Sequence, residues 1–328
     1  MTESSLSLPA PDDRQELVPL TLPDDHPQQR YLLRGLQGAD NTERAYRADL
    51  ADYTIWCSDY KLPALPAIPA VLGQYVSDLA PRRKWATIAR RLAAIAKWHQ
   101  LRGYSSPLSD TWLQATLQGI QREHGTAVRQ SPAFSAAKLK EQIRQLDTQS
   151  QGVPRFGALR DKIILLLGFT GAFRRSELVA LNVDDAAFSE EGVVLSYRGS
   201  KTNQTGETEQ KALFYSPEAA LCPVRSLRHW IDLLERSTGP LFVRVLKSNE
   251  LTEERLTAQS VSKIVKKQVG KEYSAHSLRA SFVTTAKLNG ADDSEIMQQT
   301  KHKTTAMIRR YTRLDSIRQH NAAKKLGW

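Results

Sequence analysis

The chain has 328 residues, 41% of them hydrophobic and 25% charged, which is typical of a globular protein of about two domains. It has no apolar run of the ~18 residues that a membrane span needs and no secretory signal pattern at its N-terminus, so we expect a cytoplasmic protein without a membrane partner. The net charge is +11, and because residues 1–30 carry six acidic and two basic side chains (−4), the rest of the chain carries +15. This basic body favours a polyanionic partner such as nucleic acid.

The first third of the chain predicts a short tail and a helical domain. Residues 1–29 are rich in Ser, Pro and Asp without sustained periodicity, which predicts a disordered tail. Residues 30–123 then alternate helical patterns with turn signals, and Asp40 or Asn41 can cap the first helix. Helices are predicted at about 40–58, at about 69–79, within 81–109 and at about 110–123.

The segment 81–109 combines an apolar seam with a basic face and contains no Asp or Glu. The seam follows 3-4-3 helical spacing, which predicts burial of Trp85, Ile88, Leu92 and Ile95. Basic residues recur every seven positions on the other side, with two basic neighbours. A solvated face is the ordinary explanation, but the lack of a compensating acid in the segment favours contact with DNA phosphates. The predicted DNA-binding residues are Arg83, Lys84, Arg90, Arg91 and Lys97.

The rest of the chain predicts a linker and a second, larger domain. Residues 124–134 contain Gly and Pro and break the periodicity, which predicts a linker before a domain over 135–328. Two short strands, 193–197 and 211–215, are separated by a turn rich in Gly, Asn and Thr. Helices are predicted after a Ser135 cap and at about 157–169, 174–181, 221–236, 257–269, 276–289, 292–300, 304–313 and 315–325, the last being a C-terminal tail helix.

Four residues with the chemistry of phosphoryl transfer occur in order within the last 53 residues: His276, Arg279, His302 and Tyr311. His276 and Arg279 have i, i+3 spacing, so on a helix they share one face with Cβ atoms about 5–6 Å apart. Two adjacent cationic donors suit a phosphate, and a tyrosine can attack phosphorus to form a covalent intermediate. A lone H-x-x-R is common, so the inference depends on the ordered set.

Three segments together resemble the tyrosine recombinase (phage integrase) family. They are the pattern Thr-Gly-x-x-Arg-x-Ser-Glu-Leu at 170–178, Ala-His-Ser-Leu-Arg at 275–279, and the segment from His302 to Tyr311. The resemblance covers roughly residues 40–325. It implies a mainly α fold with a small β-sheet, in which a helical core-binding domain (30–123) precedes an α+β catalytic domain (135–328).

The resemblance also implies roles for an arginine, a glutamate and a lysine of the second domain. The family pattern places the first catalytic arginine three residues before the glutamate, which selects Arg174 rather than Arg175 and makes Glu177 the acid that orients it. Lys201, in the turn between the two predicted strands, would be the catalytic lysine that protonates the leaving 5′ oxygen. Lys211 is the rival for this role.

The remaining implied roles fall on the C-terminal set. Arg279 is the second catalytic arginine, His276 contributes acid–base help, His302 donates to a phosphate oxygen and Tyr311 is the nucleophile. On one straight helix, two residues nine positions apart face opposite sides, so His302 is expected in the turn before the tyrosine helix. The sequence departs from the family where Leu-Gly usually precedes the histidine, since it has Thr300 and Lys301, and where Ala280 replaces a frequent histidine.

These observations predict a site-specific recombinase that cleaves and rejoins double-stranded DNA at specific sites through a 3′-phosphotyrosyl intermediate. The expected assembly is a homotetramer on two sites, with accessory DNA-binding proteins possible and no metal or other cofactor. The paired carboxylates at 184–185, 190–191 and 292–293 are explained by capping and solvated turns rather than by Mg²⁺ binding. Two alternatives stay open, a topoisomerase IB-like DNA-relaxing enzyme and a noncatalytic DNA-binding regulator on the same fold.

Overall fold

A computed structural model of the protein describes residues 40–127, 130–149, 155–198, 208–302 and 304–308. The chain divides into two compact units between residues 128 and 129. Within the described ranges, none of the helices combines the length and apolar character that crossing a bilayer would need. The predicted disordered tail, most of the 304–313 helix and the 315–325 helix lie outside the described residues.

The N-terminal unit contains four described helices, close to the predicted positions. They are α1 (Asp40–Asp59), α2 (Pro69–Leu79), α3 (Trp85–Leu101) and α4 (Thr111–His124), with a 3₁₀ turn at Pro107–Ser109 before α4. The start of α2 carries a proline in its first turn, where no backbone donor is lost. The Asp110 carboxylate caps α4 by accepting from the Leu113 N–H at 2.8 Å.

The core of the N-terminal unit forms between helix pairs, because α1 packs on α3 and α2 packs on α4. The predicted seam of α3 faces this core, since Ile88, Leu92 and Ile95 are buried and Trp85 packs against them half-buried. Burial of one such aliphatic side chain contributes roughly 1.5–3 kcal/mol. The apolar face of α3 therefore fixes which of its basic side chains remain at the surface.

The C-terminal unit is mainly helical with two small sheets. Its described helices are α5 (Ala136–Gln149), α6 (Phe156–Thr170), α7 (Arg175–Ala180), α8 (Pro223–Leu234), α9 (Ala258–Gln268), α10 (Ala275–Leu288) and α11 (Asp293–Thr300), with 3₁₀ turns at Val183–Asp185 and Ala219–Leu221. The Ser135 hydroxyl accepts from the Lys138 N–H at 3.2 Å, as its predicted capping role requires. Residues 305–308 are also helical.

The larger sheet is antiparallel in the order β1 (Ala186–Phe188), β2 (Gly192–Arg198), β3 (Thr208–Phe214). β2 and β3 are the two predicted strands, and Val193 pairs with Leu213. A second, two-stranded sheet joins β4 (Val243–Val245) to β5 (Leu251–Arg255). The sequence did not predict β1, β4 and β5, because strands of three to five residues are too short to show an alternating pattern.

Helix α6 organises the C-terminal core and delivers the chain to the site. Its central residues are buried almost all round, as the apolar run at 163–167 indicates, and it packs against α5, α8 and α10. At Gly168 a Cβ atom would lie only 2.6 Å from Leu278 Cδ1. This close approach of α6 to α10 brings the turn after α6 next to the helix that carries His276 and Arg279.

Candidate active site

Arg174 stands at the N-cap of α7, directly after a turn with unusual backbone geometry. Ala172 is fully buried and adopts a left-handed conformation with φ of 47°, which costs a non-glycine residue on the order of 1 kcal/mol or more. The Arg174 N–H donates to Glu177 Oε2 at 2.9 Å, and its Nη1 donates to Glu177 Oε1 at 2.5 Å. Glu177 therefore holds both the backbone and the guanidinium of Arg174, as the orienting role requires.

Glu177 and Lys211 form a buried ion pair beneath this turn. Lys211 Nζ lies 3.5 Å from Glu177 Oε2 and donates to the carbonyl oxygens of Gly171 (2.9 Å) and Ala172 (3.2 Å). Burial raises the pKa of Glu177, but the charges of Lys211 and Arg174 outweigh it and hold the pKa below its usual value. Burial, together with repulsion from Arg279 and Arg174, lowers the pKa of Lys211 to about 7 despite attraction from Glu177.

Arg279 is 1% exposed and connects three parts of the site. Its Nη1 donates to the Ala172 carbonyl at 2.8 Å, its Nη2 donates to the Thr300 carbonyl, and its Nε faces His302 Nε2 at 3.4 Å. Ala172 thus accepts from both Arg279 and Lys211, which stabilises the strained turn. The guanidinium therefore ties the turn before α7 to the end of α11.

The two histidines lie in the field of the site's arginines. His276 is exposed in the first turn of α10, and partial desolvation followed by repulsion from Arg279 and Arg174 lowers its pKa. His302 is half-buried after the end of α11, outside any helix, as predicted. Desolvation and then the charges of Arg279 and Arg174 lower the pKa of His302 to about 3. Both rings are thus neutral near pH 7 in the DNA-free protein.

The structure brings together the four described members of the predicted catalytic set: Arg174, His276, Arg279 and His302. They come from the N-terminus of α7, the start of α10 and the turn after α11. Lys201 and Tyr311 lie outside the described residues. Among the residues the structure describes, no three His, Cys, Asp or Glu side chains gather as ligands of a metal ion would.

Two residues at the site have contacts that sequence reasoning missed. Lys211 was considered only as the rival catalytic lysine, yet its side chain is fully buried. The sequence contained the signal, because Lys211 lies two residues before Leu213 in β3 and side chains two residues apart in a strand point to the same face, here the inward one. Thr300 is also fully buried, and its hydroxyl lies 2.9 Å from His302 Nδ1. No local pattern indicates this second contact.

The basic face of α3 in the N-terminal unit is partly compensated by acids of α1. Arg83 and Lys84 are exposed, Lys97 is half-buried and donates to Gln100, and exposed Arg90 donates to Asp49 at 3.0 Å. Arg91 is the exception, since it is buried.

The contacts of Arg91 correct the prediction that it binds DNA. Its guanidinium forms an ion pair with Asp52, reaching Oδ2 with Nη2 at 3.0 Å, and it donates to the Tyr75 hydroxyl at 2.7 Å. The acids that segment 81–109 lacks come from α1, twenty residues or more upstream. Arg91 is therefore part of the internal packing of the helical unit.

Comparisons with known proteins agree with this geometry. The model of the phage integrase family matches residues 139–318. An integrase/recombinase XerD homolog of Selenomonas ruminantium is 36% identical over 297 residues, covering 88% of this chain and 86% of that protein. A tyrosine recombinase XerD of Lacticaseibacillus casei is 23% identical over 291 residues, covering 88% and 92%.

Solved structures show the same fold at lower identity. XerH recombinase in a post-cleavage complex with its difH substrate aligns with a TM-score of 0.57 at 17% identity, covering 79% of this chain and 72% of that one. A λ integrase dimer bound to a core site aligns with a TM-score of 0.57 at 13% identity, covering 87% and 75%. Given the family match over more than half of the chain, the fold and the arrangement of Arg174, Arg279 and the two histidines, this chain belongs to the phage integrase family and is a tyrosine-type site-specific recombinase.

Proposed function

We propose that the protein recombines double-stranded DNA by using Tyr311 as the nucleophile. The Tyr311 oxygen attacks the scissile phosphorus, a 3′-phosphotyrosyl bond forms, and the bond to the 5′ oxygen breaks. The tyrosine proton passes to a nearby base, for which neutral His276 is our candidate, and the leaving 5′ oxygen receives a proton from Lys201. Attack by a 5′-OH of the partner duplex reverses these steps and restores the phosphodiester, so no external energy source is needed.

The observation that carries this proposal is the buried position of Arg279 beside Arg174 and His302. The carbonyl oxygens of Ala172 and Thr300 and a ring nitrogen of His302 hold the Arg279 guanidinium in a fixed orientation. Such a fixed positive charge stabilises the extra negative charge of a pentacoordinate phosphate without reorganising during the reaction. Arg174 is oriented by Glu177, whose carboxylate is shared with Lys211, and we propose Arg174 as the second cation of the site.

The environment of Lys211 supports Lys201 as the general acid. Its ammonium is enclosed and already donates to two carbonyl oxygens and Glu177, so it holds the Ala172 turn rather than facing a substrate. We propose that Lys211 maintains the position of Arg174, while Lys201, in the segment that joins β2 and β3, protonates the 5′ oxygen.

We propose the helical unit as the core-binding domain (30–123), followed by a linker (124–134) and the catalytic domain (135–328). The division of the chain between residues 128 and 129 supports this assignment. Arg90 and Lys97 of α3, together with Arg83 and Lys84 just before its first residue, are proposed to contact DNA phosphates. The solved relatives include complexes with DNA substrates, which supports a duplex DNA partner for this chain.

For the active assembly we propose a homotetramer on two DNA sites, in which the segment after Arg313 docks on a neighbouring protomer. A stop codon after Arg313 is then expected to leave binding to one half-site nearly intact but to impair synapsis and recombination. If the truncated protein forms normal higher-order complexes and recombines normally, the segment after Arg313 has no role in assembly. Accessory DNA-binding proteins are an open part of this proposal.

A nicked suicide substrate tests the central step. The wild-type protein should form a covalent protein–DNA adduct in excess EDTA, and Tyr311→Phe should bind the same DNA without forming it. An adduct with Tyr311→Phe would assign the nucleophile elsewhere, and strict dependence on added Mg²⁺ would reject the arginine-based mechanism. Absence of any wild-type adduct on mapped genomic target sites would favour a DNA-binding regulator. Relaxation of supercoiled DNA without exchange between sites would favour topoisomerase-like activity.

A further inference from the structure

The hydroxyl of Thr300 lies between a backbone carbonyl and the ring of His302. Thr300 is the last residue of α11 and is fully buried. Its Oγ1 lies 2.6 Å from the Ile296 carbonyl oxygen and 2.9 Å from His302 Nδ1. The Thr300 carbonyl accepts from Arg279 Nη2, so Thr300 contacts both Arg279 and His302.

Counting protons determines how this hydroxyl is used. A threonine hydroxyl has one proton to donate and lone pairs with which to accept. The Ile296 carbonyl can only accept, so the hydroxyl proton is used there. The remaining contact, to His302 Nδ1, then requires the ring nitrogen to be the donor. Neutral His302 thus carries its proton on Nδ1 and leaves a lone pair on Nε2.

The end of α11 makes this arrangement rigid. Lys301 adopts a left-handed conformation with φ of 54°, and its N–H donates to the Met297 carbonyl at 2.7 Å, which closes the helix. The chain then turns so that His302, two residues after Thr300, folds back over the threonine hydroxyl. His302 Nε2 consequently lies beside Arg279 Nε, at 3.4 Å.

We propose that Thr300 is a positioning residue of the recombination reaction, which fixes His302 in the Nδ1–H form and directs Nε2 toward the scissile phosphate beside Arg279. This inference rests on the proposed function of the site. In the neutral ring Nε2 can only accept, so it donates to a phosphate oxygen only after His302 takes up a proton from solvent. Thr300 accepts from Nδ1 in both the neutral and the protonated ring.

The charges around His302 predict when that protonation occurs. Arg279, Arg174, His276 and Lys211 face the ring and, with its desolvation, oppose a charge there in the DNA-free protein. A bound phosphodiester adds a negative charge next to Nε2, which favours the imidazolium. We therefore expect DNA cleavage to fall as pH rises through the pKa of His302 in the complex.

Two substitutions separate the hydrogen bond from the packing of Thr300. Thr300→Val keeps the shape but removes the hydroxyl, and Thr300→Ser keeps the hydroxyl. Nitrogen-15 NMR of the histidine rings, which distinguishes the two tautomers, should show the Nδ1–H form for His302 in the wild type and Thr300→Ser. In Thr300→Val the population should shift toward the Nε2–H form, because the contact that remains, from Arg279 Nε to His302 Nε2, is long at 3.4 Å. Thr148→Val is the matched control, because Thr148 also donates to the carbonyl four residues earlier (Arg144) but has no such histidine contact described.

Covalent capture on nicked DNA provides the functional arm. Thr300→Val should form adduct about 10- to 100-fold more slowly at neutral pH with unchanged DNA affinity, because His302 loses its orientation. Its loss of activity at high pH should be weaker, because neutral Nε2–H can donate without an added proton. Thr300→Ser and Thr148→Val should stay close to wild type.

Three results would overturn the assignment: an Nε2–H tautomer in the wild type, an unchanged spectrum in Thr300→Val, or an unchanged rate and pH profile in that variant. A folded Thr300→Val protein is recognised by its amide spectrum, and if it does not fold, the wild-type tautomer still decides the question. The two arms separate this inference from the proposed function. If the proposed function is wrong, the wild-type protein forms no covalent adduct, but the NMR result for His302 is unaffected.

Discussion

Each of the two units contains a buried arginine, Arg91 or Arg279, and the described partners of the two guanidinium groups differ. In the helical unit, Arg91 pairs with Asp52 and donates to Tyr75, so carboxylate charge neutralises it. In the catalytic unit, the described acceptors of Arg279 are two carbonyl oxygens and the His302 ring. The described partners thus differ in kind, since Arg91 faces a carboxylate whereas Arg279 faces carbonyl dipoles and an imidazole ring.

This difference indicates what each arginine does. Asp52 and Tyr75 hold Arg91 within its own unit, so its removal is expected to affect folding. Carbonyl dipoles orient Arg279 toward His302, and we propose that a phosphate is a further partner of its guanidinium. On this proposal Arg91 is a structural arginine and Arg279 a substrate-binding one, although both are almost inaccessible to solvent.

The same substitution at both positions gives the largest expected contrast. Arg279→Lys replaces a fixed fork of donors with one flexible ammonium and should lower the rate of covalent adduct formation by about 10²–10³-fold. Arg91→Lys should leave the rate per folded molecule within a few-fold of wild type. The measurement is single-turnover capture on a nicked site at saturating protein. If both variants lose the same factor in the rate of adduct formation, Arg279 and Arg91 do not differ in their roles in the reaction.

Removing the charge of Arg91 should act on stability. Arg91→Met leaves Asp52 without its main partner and is expected to lower the free energy of unfolding by about 2–3 kcal/mol, less than for a fully enclosed pair because the Asp52 side chain is 41% exposed. Urea denaturation measures the loss. The double variant Arg91→Met with Asp52→Asn should recover part of it, and no recovery would mean that Arg91 stabilises by packing alone.

The basic side chains on α3 and in the turn before it should affect the salt dependence of DNA binding. Replacement of Arg83, Arg90 and Lys97 by Ala should reduce the slope of log affinity against log salt by up to ~2.7 units, at ~0.9 per phosphate contact. Because Arg90 also pairs with Asp49, it should contribute the least of the three residues to this change in slope. Arg91→Met is the matched control and should leave the slope unchanged. If the triple variant is folded and has wild-type DNA affinity and slope, these basic side chains form an ordinary solvated surface and do not contact DNA.

Lys211 provides a pH test in the catalytic unit. Its pKa is lowered to about 7 in the folded protein, below its ordinary value of 10.5, so between these values the unfolded chain binds more protons and stability rises with pH. Between pH 7 and 9, wild type should gain about 2 kcal/mol relative to Lys211→Met. Denaturation curves at several pH values measure this difference. A constant difference across the range would show that Lys211 titrates normally in the fold.

The sequence alone predicted most of the described helices and proposed the residues of the site. Apolar spacing located α3 and its buried seam, Ser135 located the start of α5, and two short strand patterns separated by a turn rich in Gly, Asn and Thr located β2 and β3. The order of Arg174, His276, Arg279, His302 and Tyr311 indicated the chemistry, because phosphoryl transfer by a tyrosine requires those functional groups together. All of these signals are local or depend on residue type, so they can be read without knowing which elements pack together.

Only the tertiary structure decided how the charges are paired. Asp49 and Asp52 meet α3 because α1 packs against it, and this contact assigns Arg91 to the interior. Lys211 and Arg279 converge on the Ala172 carbonyl from β3 and α10. Thr300 reaches His302 only because the chain turns back at Lys301. Electrostatic energies vary with distance and burial over a few ångströms, and the packing of elements distant in sequence sets those distances.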